Sequence, residues 1–321
     1  MTHDYLILAG GLVLLVVGGD MLVRGSASLA ARFGVSPLIV GLTVVAFGTS
    51  APELSVNVSA ALRGSGELSF GNIVGSNVAN IALVIGLTAL VRPVGMPLGV
   101  ITREIPMMTL ASLVALAMAL DVGLGDGAQR DAFSQSDGVI LLLLFCVFLY
   151  YTIGDALRQR GARAAQADSA APGTPLIVSL GLTVLGLGAL VYGGKVTVDA
   201  ATALARGLGI SEAVIGMTIV AVGTSLPELV TSIMSVARGH TDLAVGNAVG
   251  SNIFNLLFVL GVTSVIRPVP VPASGHGDLI FVAALSAILL PLSFGPGRRI
   301  SRLGGALLFG GYVAYLWYRS S

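Results

Sequence analysis

Gly41-Leu-Thr-Val-Val-Ala-Phe-Gly-Thr-Ser-Ala-Pro-Glu-Leu-Ser55 returns 175 positions later as Gly216-Met-Thr-Ile-Val-Ala-Val-Gly-Thr-Ser-Leu-Pro-Glu-Leu-Val230, with ten of fifteen positions identical. Each copy sets one carboxylate, Glu53 or Glu228, beside a proline inside an apolar run long enough to cross a bilayer. Charge at that depth is costly and marks function by default. Two such charges at matching places are best explained if they hold a cation together.

The surrounding chain has the composition of a membrane protein. Of its 321 residues 55% are hydrophobic and 10% charged, against about a quarter charged in soluble domains. A net charge of +1 and the lack of a basic stripe argue against nucleic acid as a partner. The lone Cys146 excludes an intrachain disulfide and reads as a lipid-facing or packing residue. The first apolar run lacks a positive leader and carries Asp20, so it reads as a mature span, not a signal peptide.

Ten segments are long and apolar enough to span: roughly 5–23, 37–62, 68–91, 104–121, 138–157, 175–193, 212–237, 242–266, 278–294 and 303–318. The polar stretch Arg158–Thr174 divides them into two sets of five, residues 1–157 and 175–321. A second repeated core lies inside the first repeat. Gly71-Asn-Ile-Val-Gly-Ser-Asn-Val-Ala-Asn-Ile-Ala-Leu-Val-Ile-Gly86 matches Gly246-Asn-Ala-Val-Gly-Ser-Asn-Ile-Phe-Asn-Leu-Leu-Phe-Val-Leu-Gly261 at nine of sixteen positions. An odd number of spans separates the copies, so the second set must insert upside down. The expected fold is an all-α integral membrane protein of ten transmembrane helices. They form two inverted five-helix repeats, with proline-broken helices meeting at the midplane, an arrangement common in secondary transporters.

Arg and Lys placement orients the chain. With the linker in the cytoplasm, eleven basic residues fall inside and six outside, which leaves both termini extracytoplasmic. Tyr150, Tyr151, Tyr315, Trp317 and Tyr318 at helix ends read as an interfacial aromatic belt. The i, i+4 pair Asp20/Arg24 has Lys195/Asp199 as its sign-exchanged counterpart, and both read as paired charge near a membrane face. The acidic stretch Asp121, Asp126, Asp131, Asp137 reads as a solvated loop, and His3, His240 and His276 as loop residues.

Ala46, Thr49, Ser50 and Glu53 recur at i, i+3, i+4, i+7 and share a helix face, as do Ala221, Thr224, Ser225 and Glu228. Pro52 and Pro227 lack an N–H, so carbonyls around 46–48 and 221–223 should lose helical partners. In neighbouring helices Ser76/Asn80 and Ser251/Asn255 are each spaced i, i+4. The set is all oxygen, without His or Cys, which suits Ca²⁺ and Na⁺ and not Zn²⁺ or Cu. Two carboxylates give an empty site of −2. One Ca²⁺ or two Na⁺ neutralise it, and a third Na⁺ leaves +1. An uncompensated −2 should resist crossing a low-dielectric interior, which favours exchange over leak.

GTSAPE with GNIVGSNVAN, repeated as GTSLPE with GNAVGSNIFN, resembles the α-repeats of the cation/Ca²⁺ exchanger superfamily, most of all its prokaryotic sodium/calcium exchangers. The resemblance covers essentially the whole chain. It implies a midplane diamond of Na⁺ and Ca²⁺ sites built from Glu53, Glu228, Thr49, Thr224, Ser50, Ser225, Ser76, Ser251, Asn80 and Asn255, with carbonyls near Ala46 and Ala221. It also implies that the first and sixth helices slide as a pair past an eight-helix core. Many prokaryotic members and the potassium-dependent branch carry Asp where this chain has Asn255, which puts potassium co-transport in doubt. The reading that follows is a Na⁺/Ca²⁺ antiporter that extrudes Ca²⁺, in a prokaryotic inner membrane. Its cargo is the two ions, it needs no cofactor, and a monomer is compatible with it. A Ca²⁺/H⁺ antiporter and a cation channel are the alternatives. An enzyme is not expected, since no nucleophile–base or metal set is evident.

Overall fold

The computed structural model describes residues 2–120, 131–164, 174–210, 221–295 and 297–320, with 215 and 219. Twelve helical segments are described: α1 Thr2–Phe33, α2 Pro37–Thr49, α3 Ala51–Arg63, α4 Gly66–Val91, α5 Val100–Met118, α6 Gln135–Ala164, α7 Leu176–Gly207, α8 Ala221–Thr224, α9 Leu226–Ala237, α10 Thr241–Ile266, α11 Gly275–Ser293 and α12 Arg302–Ser320. Seven of them are long and apolar enough to cross a membrane. The pair α2/α3, bent by 44°, makes an eighth span if the two are counted as one. Leu6, Leu143, Tyr150, Ile177 and Leu303 are exposed along outer helices, as expected for an integral membrane protein whose solvent is lipid.

The expected spans overlap these helices, with changed limits; the first part of the span expected over 212–237 lies outside the described residues apart from 215 and 219, and α12, expected over 303–318, is not among the seven. α1 and α7 each run 32 residues, about 48 Å at 1.5 Å per residue, well beyond the expected ends near 23 and 193. Polar residues such as Arg24 and Asp199 continue the helix instead of ending it. The stops are set by glycine. Gly34 (φ 67°) and Gly209 (φ 77°), 175 positions apart, take the left-handed conformation that closes a helix. Val35 N then donates to Ala30 O at 3.0 Å, and Ile210 N to Ala205 O at 3.0 Å.

α1 and α7 pack antiparallel. Gly11 lies against Thr197, Gly18 against Leu190 and Gly25 against Thr183. A Cβ at Gly18 would sit 2.8 Å from Leu190 N, and one at Gly193 would sit 3.0 Å from Leu15 N. Bare glycine faces therefore bring the two backbones into contact.

α4 and α10 are buried along most of their length and form the centre. The four short strands link the halves crosswise: β1 Val94–Gly95 pairs with β4 Arg299–Ile300, and β2 Ala132–Phe133 with β3 Val269–Pro270. One face of the bundle gathers the ends next to the linker. Ser36 N donates to Gln159 Oε1 at 2.9 Å, and Ser28 Oγ to Thr174 Oγ1 at 3.4 Å. This is called the linker face below.

Several local readings change. His3 lies in α1 and His276 in the first turn of α11, where Nε2 is 2.8 Å from Ala119 O and 3.2 Å from Asp131. Helix starts are poor in apolar residues, so both looked like loops. Tyr151 and Tyr315 are half-buried. Tyr151 donates to Glu104 Oε2 and Tyr315 to Asp278 Oδ1, each at 3.1 Å. A phenol inside a bundle needs an acceptor, so these two serve buried carboxylates. Tyr150, Trp317 and Tyr318 do face outward. Asp121 and Asp126 lie outside the described residues. Asp137 accepts from Ser134 N at 2.8 Å at the start of α6. Cys146 is exposed on α6.

Candidate cation-binding site

The chain breaks at Ser50 (φ −87°, ψ 4°) and again at Ser225 (φ −92°, ψ 7°), each two residues before a proline. Glu53 and Glu228 stand in the first turn after their break and are 1% and 0% exposed. The helical N-termini of α3 and α9 thus point at mid-bundle with a carboxylate inside the first turn, where the dipole favours negative charge. Ala46 O is not freed as the prolines suggested. It accepts from Ser50 N at 3.0 Å and from Thr49 Oγ1 at 3.4 Å. The missing Pro52 N–H would have reached Gly48 O instead, four residues back.

Hydrogen bonds tie the two broken helices and their neighbours together. Ser50 Oγ, from the Glu53 arm, donates to Glu228 Oε1 at 3.3 Å. Ser76 Oγ on α4 donates to Glu53 Oε1 at 3.4 Å. Thr49 Oγ1 donates to Asn247 Oδ1 at 3.0 Å and lies 3.5 Å from Ser251 Oγ on α10. Thr49, Ser50, Glu53, Ser76, Glu228 and Ser251 are thereby brought into one buried cluster. Asn80 and Asn255 lie where α4 and α10 widen into π-helical turns, Ala79–Ile85 and Phe254–Val259. Such turns disrupt the regular backbone ladder and recur at functional sites. Thr224 lines a cavity beside Pro52 and Pro227, and Ala221 opens α8.

The cluster is under-satisfied in a particular way. Among the described residues Glu53 Oε2 and Glu228 Oε2 are buried without a hydrogen-bond partner, as are Ser225 Oγ and both polar atoms of Asn80 and of Asn255 on the same broken or π-widened helices. Buried polar atoms are nearly always paired. The orphans here are mostly oxygens, at repeat-equivalent places, and oxygen is the donor that Na⁺ and Ca²⁺ take. Among the described residues no group of three or more His, Cys, Asp or Glu is placed to hold a metal ion.

A supporting layer escaped sequence reading. Asn57 Nδ2 donates to Glu53 O at 2.7 Å and to Asn72 Oδ1 at 2.8 Å, while Ser69 Oγ donates to Asn57 Oδ1 at 2.9 Å. On the other side Asn247 Nδ2 donates to Glu228 O at 3.4 Å and to Ser232 Oγ at 3.3 Å. Asn72 and Asn247 occupy the same place in the second repeated core, and that coincidence was the available signal. Asn57 and Ser232 differ between repeats and left none.

The two faces of the bundle treat the cluster differently. A cavity of about 570 Å³ lies on the face away from the linker, lined by Pro52, Ser55, Gly194, Asp199, Thr224 and Pro227. On the linker face α1 packs directly on α9. A Cβ at Gly19 would be 2.9 Å from Val230 and 3.3 Å from Met234. Asp20 binds Arg24 at 2.7 Å and also Arg238. The i, i+4 pair expected at Asp20/Arg24 is present, whereas Lys195 and Asp199 form no ion pair among the described residues.

Known proteins share this architecture. The putative antiporter CaxA of Alkalimonas amylolytica is 38% identical over 311 residues, with 95% of each chain covered. The sodium/calcium exchanger MaX1 of Methanosarcina acetivorans is 31% identical over 347 residues, covering 98% of both. A solved structure of the sodium-calcium exchanger NCX_Mj, soaked with zero Na⁺ and Ca²⁺, superposes with a TM-score of 0.83 at 32% identity, covering 98% of both chains. Residues 3–154 and 178–320 match the profile of the family described as sodium/calcium exchanger protein. With nearly the whole chain matched on both sides of the linker, the protein belongs to the sodium/calcium exchanger protein family.

Proposed function

We propose that this chain is a secondary-active Na⁺/Ca²⁺ antiporter working by alternating access, and that it extrudes Ca²⁺ in exchange for Na⁺. The observation that carries this reading is the pair of fully buried carboxylates, Glu53 and Glu228, each with one oxygen left without a partner among the described residues. Removing one partner from a buried charge pair typically costs about 3–5 kcal/mol, so an empty −2 site is held in an unfavourable state that cations relieve. One Ca²⁺ or two Na⁺ restore neutrality, which makes the two ions alternatives at one place. Glu53, Glu228, Thr49, Thr224, Ser50, Ser225, Ser76, Ser251, Asn80 and Asn255 supply the oxygens, with the Ala221 carbonyl beside them; the Ala46 carbonyl, already accepting from Ser50 N and Thr49 Oγ1, is left out of the set.

The fold that serves this is ten spans in two inverted halves, 1–157 and 175–321. Support comes from the antiparallel α1–α7 pair, the crossed strand pairings and the helix stops repeated 175 residues apart. Basic residues favour a cytoplasmic linker with both termini outside, in a prokaryotic inner membrane. One chain carries every donor, so a monomer suffices, and no catalytic role is assigned.

The test is Ca²⁺ uptake into Na⁺-loaded proteoliposomes diluted into Na⁺-free buffer. Uptake that requires internal Na⁺ is expected. Uptake driven by a pH gradient alone would instead indicate Ca²⁺/H⁺ exchange, and entry with no counter-ion gradient a channel.

A further inference from the structure

Of three charged positions that recur at the 175-residue offset, two exchange sign, Asp20 becoming Lys195 and Arg24 becoming Asp199, while Arg63 stays basic as Arg238. On the linker face the three form one cluster. Asp20 lies between Arg24 and Arg238, with its side chain one-fifth exposed, below the seam where Gly19 meets Val230 and Met234. On the opposite face Arg63, Lys195 and Asp199 are exposed and form no ion pair among the described residues. There the cavity beside Ser55, Lys195 and Asp199 stands open. Closing that face by the same packing would set Lys195 against Arg63, like charge on like. Arg267, whose guanidinium lies against Gly64, adds a further positive group.

We propose that Asp20 is a positioning residue that holds the linker-face path shut through Arg238. The sign exchange to Lys195 withholds the equivalent lock from the other face, so the transporter rests open away from the linker. This deepens the exchange reading and rests on it, since a bias between two faces matters only to a protein that exposes one site to each in turn. Attraction on one face and repulsion on the other act in the same direction; Asp20, one-fifth exposed, is the more sheltered from screening, and the exposed Arg63 and Lys195 the less.

Symmetry provides matched reporters. Ser55 lines the open cavity and Val230, its repeat equivalent, is covered by α1. In a Cys146→Ser background held in lipid nanodiscs, which leave both faces exposed to reagent, Ser55→Cys should react quickly with a charged thiol reagent and Val230→Cys slowly. Asp20→Asn should raise the Val230→Cys rate about threefold to tenfold and lower the Ser55→Cys rate by less, because a minor population changes proportionally most. Lys195→Asp, which installs an acid opposite Arg63, should shift both rates in the same direction, and adding Arg63→Gln should reverse that shift. Asp20→Asn and Lys195→Asp both leaving the two rates unchanged overturns the proposal, as does a Lys195→Asp effect that survives Arg63→Gln. Unchanged labelling with intact Na⁺-dependent uptake rejects the lock alone. Shifted labelling without Na⁺-dependent uptake rejects the exchange reading alone.

Discussion

Replacing Glu228 by Gln keeps the shape of the side chain and removes one of the two site charges. Among the described residues Glu228 Oε1 receives Ser50 Oγ at 3.3 Å, a long hydroxyl contact, and Oε2 receives no hydrogen bond. Protein contacts therefore do little to satisfy the carboxylate, and the ion must do most of it. Losing one member of a buried charge pair costs about 3–5 kcal/mol, which at 1.4 kcal/mol per decade weakens Ca²⁺ binding by roughly two to three and a half orders of magnitude. The empty site falls from −2 to −1, so Ca²⁺ now leaves +1 behind while one Na⁺ suffices for neutrality. Two measurements read this together. Isothermal titration should show Ca²⁺ affinity lost, and Na⁺-driven Ca²⁺ uptake should vanish. Thermal unfolding in ion-free buffer should move upward, because a neutral amide is cheaper to bury than an unpaired carboxylate, while the Ca²⁺-induced rise seen in the native chain disappears. Wild-type uptake in Glu228→Gln would refute the reasoning. So would a large fall in ion-free stability, since that would make the carboxylate a structural group satisfied by the protein.

Further outcomes follow from the same contacts. Ser76→Ala removes the hydroxyl that donates to Glu53 Oε1. It should weaken Ca²⁺ binding by about 1 kcal/mol, roughly fivefold, in the same titration. Gly18→Leu would drive a side chain into α7, where even a Cβ meets Leu190 N at 2.8 Å; exchange should be lost and the melting temperature lowered. Gly10→Ala, with nothing within 4 Å, should be silent in both assays. Glu104→Gln removes the buried member of a partly exposed cluster in which Arg103 holds Glu104 at 2.6 Å and Asp155 as well. It should lower stability by about 1–2 kcal/mol in thermal or denaturant unfolding and leave Ca²⁺ affinity unchanged, because none of the three bonds to the Glu53 and Glu228 cluster.

Most of the site was legible because duplication doubled each clue. Glu53 and Glu228 stood out through cost, and Ser50, Ser76, Thr49 and Ser251 through helical spacing from a repeated anchor. The structure joins these through hydrogen bonds between helices far apart in sequence. Asn80 and Asn255 were singled out the same way, but their lack of partners among the described residues and their place in π-helical turns are tertiary facts that no residue pattern announces. Asn57 escaped because its work is local and unrepeated: it donates to the Glu53 carbonyl in one half, whereas in the other Asn247 donates to the Glu228 carbonyl and Ser232, at the position equivalent to Asn57, only accepts from Asn247. The extent of α1 and α7 was hidden for another reason. Hydropathy marks where lipid ends, and these helices continue beyond it until a left-handed glycine stops them. The polar partners of Tyr151 and Tyr315 were invisible because a tyrosine at a helix end looks the same whether it faces headgroups or a buried carboxylate. The ion pairing of Asp20 with Arg24 followed from spacing alone, whereas its second partner, Arg238, depends on how α1 lies against α9.

Competition between the two ions at equilibrium probes the shared −2 site most directly. Ca²⁺ titrated into the purified protein at rising Na⁺ should bind one ion per chain, with apparent affinity falling more steeply than the first power of Na⁺ concentration, since at least two Na⁺ must replace each Ca²⁺. Ca²⁺ binding that is indifferent to Na⁺, or two independent Ca²⁺ per chain, would contradict a single site held by Glu53 and Glu228.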